Sequence, residues 1–378
     1  MQSSWHPAGH LVIGLAGKTL QEDERDWIGK HRPAGVILFA RNLGSLDEVV
    51  ELVRAVRAAG SPAPTLWLDQ EGGRVQRLRA PLTAYPSAGT LARWEGDHPE
   101  AALELARDWG HLCGQELLAL GFGVDCAPVL DLWEPGAHPV IGDRAFGGDP
   151  EQVVRLAGAW LTGFAGSGGM AVGKHFPGHG GALVDSHRHL PVIDRDLAQL
   201  QQRELSPFKQ LLHRLPALMT AHLVARALDP RVPATWSAGI MTQLLRREWG
   251  YQGLVVSDAI EMAALEGDLG FRTHRAIAAG CDLVLCCTGR LDDNEAARLG
   301  VLAALESAKE SGQGPWFSAG EVASRLDRYR LPPGDWRQLL ADADYQRRRT
   351  RLETVFQDPR KPLGVDPTEA HMTVAGDG

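Results

Sequence analysis

The segment Lys174-His175-Phe176-Pro177-Gly178-His179-Gly180, followed closely by Asp185-Ser186-His187, gathers an ammonium, several imidazoles and a carboxylate just after an apolar run. Such a density of titratable groups in a Gly- and Pro-bearing loop costs folding stability unless something binds there, because loops held by a rigid scaffold are where chemistry sits. Within it, the Asp185 carboxylate can orient the His187 imidazole and favour its protonated form, leaving the ring to give and take a proton. Far along the chain, Asp258 ends the apolar run Gly253-Leu254-Val255-Val256-Ser257. A carboxylate delivered to a fixed place by an apolar strand can attack an anomeric carbon. Taken singly, Asp258 reads as a helix cap and Asp-x-His as a surface turn; together they read as an active site. Asp69, Arg77, Arg144, Lys174 and His175 are groups of the kind that hold sugar hydroxyls by charge-assisted hydrogen bonds. A structural ion pair is the other reading for Arg77 and Arg144.

These motifs also resemble a known family. Lys174 to Gly180 with Asp185-Ser186-His187, the run Asp69-Gln70-Glu71-Gly72-Gly73-Arg74-Val75-Gln76-Arg77, and the triplet Ser257-Asp258-Ala259 are similar to the family 3 glycoside hydrolases. Within that family they resemble the single-domain β-N-acetylglucosaminidases that recycle or remodel peptidoglycan, over roughly residues 8 to 300. The resemblance implies a retaining, exo-acting enzyme with Asp258 as nucleophile and Asp185 with His187 as acid/base dyad. It also implies that Asp69, Arg77, Arg144, Lys174 and His175 grip a terminal N-acetylglucosamine. No cofactor is expected, and the expected partner is a small glycan or muropeptide.

The elements that must position these groups recur along the chain. Strand-like runs lie at Leu11 to Leu15, Gly35 to Phe39, Thr65 to Asp69, Val124 to Val129, Met170 to His175, Ala217 to His222, Leu254 to Asp258, and Asp282 to Cys287. Amphipathic helical patterns alternate with them: Ser45 to Ala59, Glu100 to Leu120, Glu151 to Ala165, Leu197 to Leu212, Ile240 to Trp249 and Thr273 to Ala279. The first opens with a capping box, Ser45 and Glu48. Alternating strands and helices predict a parallel sheet, and eight strands predict a closed (β/α)8 barrel in one domain. Asp69, Asp131, Lys174, His175, His222 and Asp258 all fall at C-terminal ends of these runs, the face where barrel enzymes place their sites. The expected organisation is a hydrolase domain over 8–315, a helical extension over 316–360 and a disordered tail over 361–378. Gly72 and Gly73 are expected in a tight turn, Gly180-Gly181 as a flexible hinge, and Phe176-Pro177 as a cis bond. Glu71 is expected on the opposite side of the chain from Asp69, pointing away from the sugar. His222 and Met262 are further candidates for the pocket border.

Composition sets limits. The chain has 378 residues, 44% hydrophobic and 23% charged, with net charge -8, which disfavours a nucleic-acid partner. The basic run Arg347-Arg348-Arg349 reads as a solvated helix face. The odd number of cysteines, Cys113, Cys126, Cys281, Cys286 and Cys287, without C-x-x-C spacing, predicts reduced buried thiols. No segment approaches the roughly 18 apolar residues of a membrane span, so a cytoplasmic protein, monomeric or weakly oligomeric, is expected.

Three other activities compete. A metal-dependent barrel hydrolase could use His175, His179, Asp185, His187 and His189, although one loop supplies them all, whereas catalytic ligands usually come from several strands. A β-glucosidase of the same family would need a second domain for its acid/base carboxylate. A phosphorylase variant follows from charge alone, since a neutral imidazole does not repel phosphate as a carboxylate would.

Overall fold

A computed structural model describes residues 6–356 apart from Leu183, His187 and Arg188. Its centre is a closed barrel of eight parallel strands: β1 (Leu11–Ile13), β2 (Gly35–Ile37), β3 (Thr65–Leu68), β4 (Val124–Asp125), β5 (Met170–Phe176), β6 (Ala217–Thr220), β7 (Leu254–Ala259) and β8 (Leu283–Cys286). Each strand pairs with its sequence neighbours, and β1 closes the ring on β8 through Leu11↔Val284, Val12↔Leu285 and Ile13↔Cys286. All eight expected runs form strands, most of them shorter than the sequence pattern.

The apolar runs are continuous because both faces of each strand are buried. Val12, Trp67, Val172, Val256 and Leu285 point into one cluster inside the barrel. Their neighbours Leu11, Leu66, Leu68, Val255 and Val284 belong to the cluster beneath the outer helices. Period-two alternation therefore divides every strand between a filled interior and a helix-covered exterior.

The helices expected around the barrel are present. Leu46–Ala59 starts at a Ser45 cap whose backbone N–H donates to Glu48 Oε2 at 2.7 Å. Pro99–Leu120 and Pro150–Ala165 pack against each other. The pattern at 197–212 divides into Leu197–Gln202 and Leu205–Leu211. The stretch Gly239–Glu248 is wound as a π-helix.

The chain after residue 315 packs onto the barrel. Phe317, Val322, Leu326 and Tyr329 join the interior cluster, so the helix Ala319–Leu326 stoppers the end opposite the strand C-termini. Asp282 fixes this stopper by accepting the Phe317 N–H at 2.9 Å. The helix Ala343–Val355 lies along Pro99–Leu120, and Tyr345 donates its hydroxyl to the buried Glu116 at 2.6 Å. The run Arg347-Arg348-Arg349 in this helix is only partly a solvated face: Arg348 pairs with Asp108 at 2.6 Å, while Arg349 with Glu353 at 2.9 Å and Arg347 with Asp344 at 2.8 Å pair within the helix. Arg348 and Arg351 on Asp108, and Arg349 on the Pro81 carbonyl, dock the helix, whereas Arg347 stays largely exposed as expected. The tail expected over 361–378 lies outside the described residues.

All five cysteines are free and buried, as expected. Among the described residues, no helix is long and apolar enough to cross a membrane.

Candidate active site

A cavity opens at the C-terminal end of the strands, lined by Asp69, Arg144, Lys174, His175 and Asp258 among polar groups. Ile37, Phe39, Met219 and Met262 supply apolar wall. Three strands deliver the chemistry: Asp69 directly follows β3, Lys174 and His175 end β5, and Asp258 lies in β7.

Asp69 and Glu71 share one cation. Lys174 Nζ donates to Asp69 Oδ1 at 2.8 Å and lies 2.6 Å from Glu71 Oε1. Residues two apart on an extended chain face the same way, which corrects the expectation that Glu71 lies opposite Asp69. It nevertheless does not line the cavity, because Arg144 closes over it with a bidentate pair of bonds at 2.8 and 2.7 Å. Burial alone would raise the Glu71 carboxyl, but Arg144 and Lys174 outweigh it and hold the group well below the usual carboxylate range. Lys174 is correspondingly held above an ordinary lysine: burial opposes its charge, and Asp69 and Glu71 overcome that. The cluster thus presents fixed charges to the cavity at neutral pH.

Arg77 stands behind this group rather than on the cavity wall. Its side chain is 1% exposed and donates to Asp69 Oδ2 at 3.4 Å. The guanidinium sits 5.6 Å from the centre of the Phe39 ring, which does line the cavity. The turn between the two arms of the hairpin Gln70–Gly72 and Val75–Gln76 uses Gly72 at φ 99 and Gly73 at φ 56, as the sequence predicts. A Cβ at Gly72 would lie 2.4 Å from the Trp109 ring, so the position has neither the conformation nor the space for another residue.

Asp131, which follows β4, is fully buried and organises the loop after β5. It takes the His175 ring at Nδ1, 2.6 Å from Oδ2, and the His179 backbone N–H at 2.7 Å. Burial would raise this carboxyl, but the His175 imidazole keeps it low. The Lys174–His175 peptide is cis, as is the expected Phe176–Pro177. Gly180 is an anchor rather than a hinge: a Cβ there would come within 1.7 Å of the Leu132 carbonyl oxygen. His179 and Ser186 line the cavity and meet at 3.0 Å between Nε2 and Oγ. Asp185 is half-buried next to Ser186 and is not part of the cavity wall. His187 lies outside the described residues.

Asp258 is half-buried, and its Oδ1 accepts the Ala259 N–H at 2.8 Å. The strand is held there from both sides. Ser257 Oγ accepts the Leu285 N–H at 3.2 Å, while His222 Nε2 lies 3.0 Å from the Ala259 carbonyl. A carbonyl only accepts, so Nε2 carries the proton. His222 is therefore a brace beneath Asp258 and not part of the cavity border, whereas Met262 is on that border.

Sequence reasoning passed over Asp125, which is fully buried, and Glu261, which is half-buried, two carboxyls close to the cluster. Burial pushes each up to about 7. Asp125 accepts the Gln70 N–H at 2.9 Å, and Glu261 accepts the Cys287 N–H at 3.1 Å. The sequence signal was available in Val124-Asp125-Cys126, where a carboxylate interrupts an apolar run. Among the described residues no group of three or more His, Cys, Asp or Glu side chains is arranged to hold a metal.

Comparison with known proteins agrees with this architecture. The model of the glycosyl hydrolase family 3 N-terminal domain matches residues 9–326. The β-hexosaminidase of Alkalilimnicola ehrlichii is 45% identical over 282 residues, covering 74% of this chain and 80% of that protein. The β-hexosaminidase of Chromobacterium violaceum is 36% identical over 372 residues, 97% of this chain and 99% of its own length. The crystal structure of native NagZ from Neisseria gonorrhoeae superposes with a TM-score of 0.81 at 32% identity, covering 93% of this chain and 98% of that one. Since the matched stretch contains the whole barrel and every strand that supplies the cavity, the chain belongs to glycosyl hydrolase family 3.

Proposed function

We propose that this protein is an exo-acting, retaining β-N-acetylglucosaminidase that removes terminal β-linked N-acetylglucosamine from muropeptides or related small glycans. The observation that carries this reading is the meeting of Asp258 with Asp69, Arg144, Lys174 and His175 around one cavity. Relatives along nearly the full chain that are named β-hexosaminidases support it.

In this reading Lys174, His175 and Arg144 hold the sugar hydroxyls, while Asp69 accepts from them and Arg77 fixes Asp69 from behind. The Asp258 carboxylate attacks the anomeric carbon as the bond to the leaving oxygen breaks, and His187, protonated beside Asp185, gives that oxygen its proton. Water then loses a proton to His187 and attacks the same carbon, releasing Asp258 and a sugar of retained configuration. The fixed charges around Lys174 are in place before the substrate arrives, so little reorganisation opposes the charge that develops.

The proton role is tested by His187→Ala on a graded series of aryl and alkyl N-acetylglucosaminides. Loss on poor leaving groups should exceed loss on activated ones by about 10²-fold, the lower end of general-acid contributions. Equal losses across the series would remove His187 from the acid role.

A further inference from the structure

Asp131 divides its two oxygens between two parts of the site. Oδ2 lies 2.6 Å from His175 Nδ1, on the cavity wall, and Oδ1 accepts the His179 backbone N–H at 2.7 Å. The His179 ring then meets the Ser186 hydroxyl at 3.0 Å. Ser186 stands between Asp185 and His187, and is only 3% exposed. Loop hydroxyls ordinarily face water, and burying one without a partner costs about 1–3 kcal/mol. The His179 bond is what makes this burial tolerable.

His179 is suited to the task. It is 4% exposed, and burial pushes its imidazole down to about 4, so the ring stays neutral through the working pH range. Its Nδ1 is buried with no hydrogen-bond partner, so the ring is oriented through Nε2 alone. Removing the Ser186 hydroxyl leaves both ring nitrogens without a bond, and the segment loses its tie to Asp131.

We propose that Ser186 is a positioning residue: its bond to His179 ties the chain at Asp185-Ser186 to Asp131, the carboxylate that also orients His175. One buried group then sets both the sugar-holding imidazole and the chain at Asp185. The catalytic part of this inference rests on Asp185 and His187 being the acid/base pair.

The test compares Ser186→Ala, Ser186→Thr and His187→Ala in the full chain. Rates are measured on a dinitrophenyl and a methyl β-N-acetylglucosaminide, and backbone amide exchange is followed over residues 182–189. Ser186→Ala should lose roughly tenfold more on the methyl glycoside than on the dinitrophenyl one. Exchange of the segment should quicken, and threonine, which keeps the hydroxyl, should restore both. Equal losses and unchanged exchange in Ser186→Ala, while His187→Ala still discriminates between the substrates, would overturn the latch and leave the proposed function standing. If His187→Ala itself fails to discriminate, the acid/base assignment fails. Exchange then decides the latch alone: quickened in Ala and restored in Thr upholds it, unchanged overturns it.

Discussion

Glu71 Oε1 lies 2.6 Å from Lys174 Nζ, and both side chains are almost wholly removed from water. Lys174 lines the cavity while Glu71 sits behind it, and the pair ties the hairpin after β3 to the end of β5. Arg144 completes it from a third segment, so one carboxylate holds together three stretches that are distant in sequence.

Replacing Glu71 with glutamine would leave Lys174 and Arg144 short of one negative charge in a dry setting. Breaking a buried pair costs about 3–5 kcal/mol. The expected outcome is a fall in thermal stability of that order and a rise in KM for the sugar, read by calorimetry and initial rates. A variant as stable and as tightly binding as the parent would contradict the bridging role.

Arg144→Lys is a harsher change than its chemistry implies. The guanidinium meets Glu71 through two parallel bonds and also donates to the Val140 carbonyl at 3.0 Å, an arrangement an ammonium cannot reproduce. We expect kcat/KM to fall by about tenfold or more, since a lost charge-assisted bond is worth about 1.5–3 kcal/mol. Unchanged kinetics would show that the fork is not used.

Asp125 gives stability a pH dependence. Burial pushes its carboxyl up to about 7 in the folded chain, against about 3.9 for an ordinary aspartate. Between those values the folded state binds more protons than the unfolded one. Its contribution is therefore fully present below about pH 4 and is lost as pH rises through about 7. Asp125→Asn, which can still accept the Gln70 N–H, should gain stability relative to the parent as pH rises through that window. Melting temperatures of the two proteins that stay parallel from pH 4 to 7 would contradict this.

How much of this was legible in the sequence differs by scale. The barrel was, because each strand is an apolar run buried on both faces and each is followed by an amphipathic pattern. Asp69, Lys174, His175 and Asp258 were also legible, since each ends such a run. What escaped was pairing across the barrel. Nothing local to Glu71 reveals that Lys174 and Arg144 converge on it, and nothing local to Arg77 places it behind Asp69. His222 looked like a pocket residue because it ends a strand, yet its ring bonds Thr235 and the Ala259 carbonyl and does not line the cavity. Gly180 read as a hinge from its type alone; only its closeness to Leu132 reveals an anchor. The stopper formed by Phe317, Val322, Leu326 and Tyr329 was hidden because a single short helix carries no mark of what it will plug.

The central claim is tested most directly by hydrolysis of an aryl β-N-acetylglucosaminide against the matching aryl β-glucoside, with Asp258→Ala as control and a chelator present throughout. The account predicts a preference for the N-acetylated sugar that survives the chelator and falls by at least about 10³-fold in the variant. Activity on the glucoside alone, or an Asp258→Ala variant that retains its rate, would contradict it.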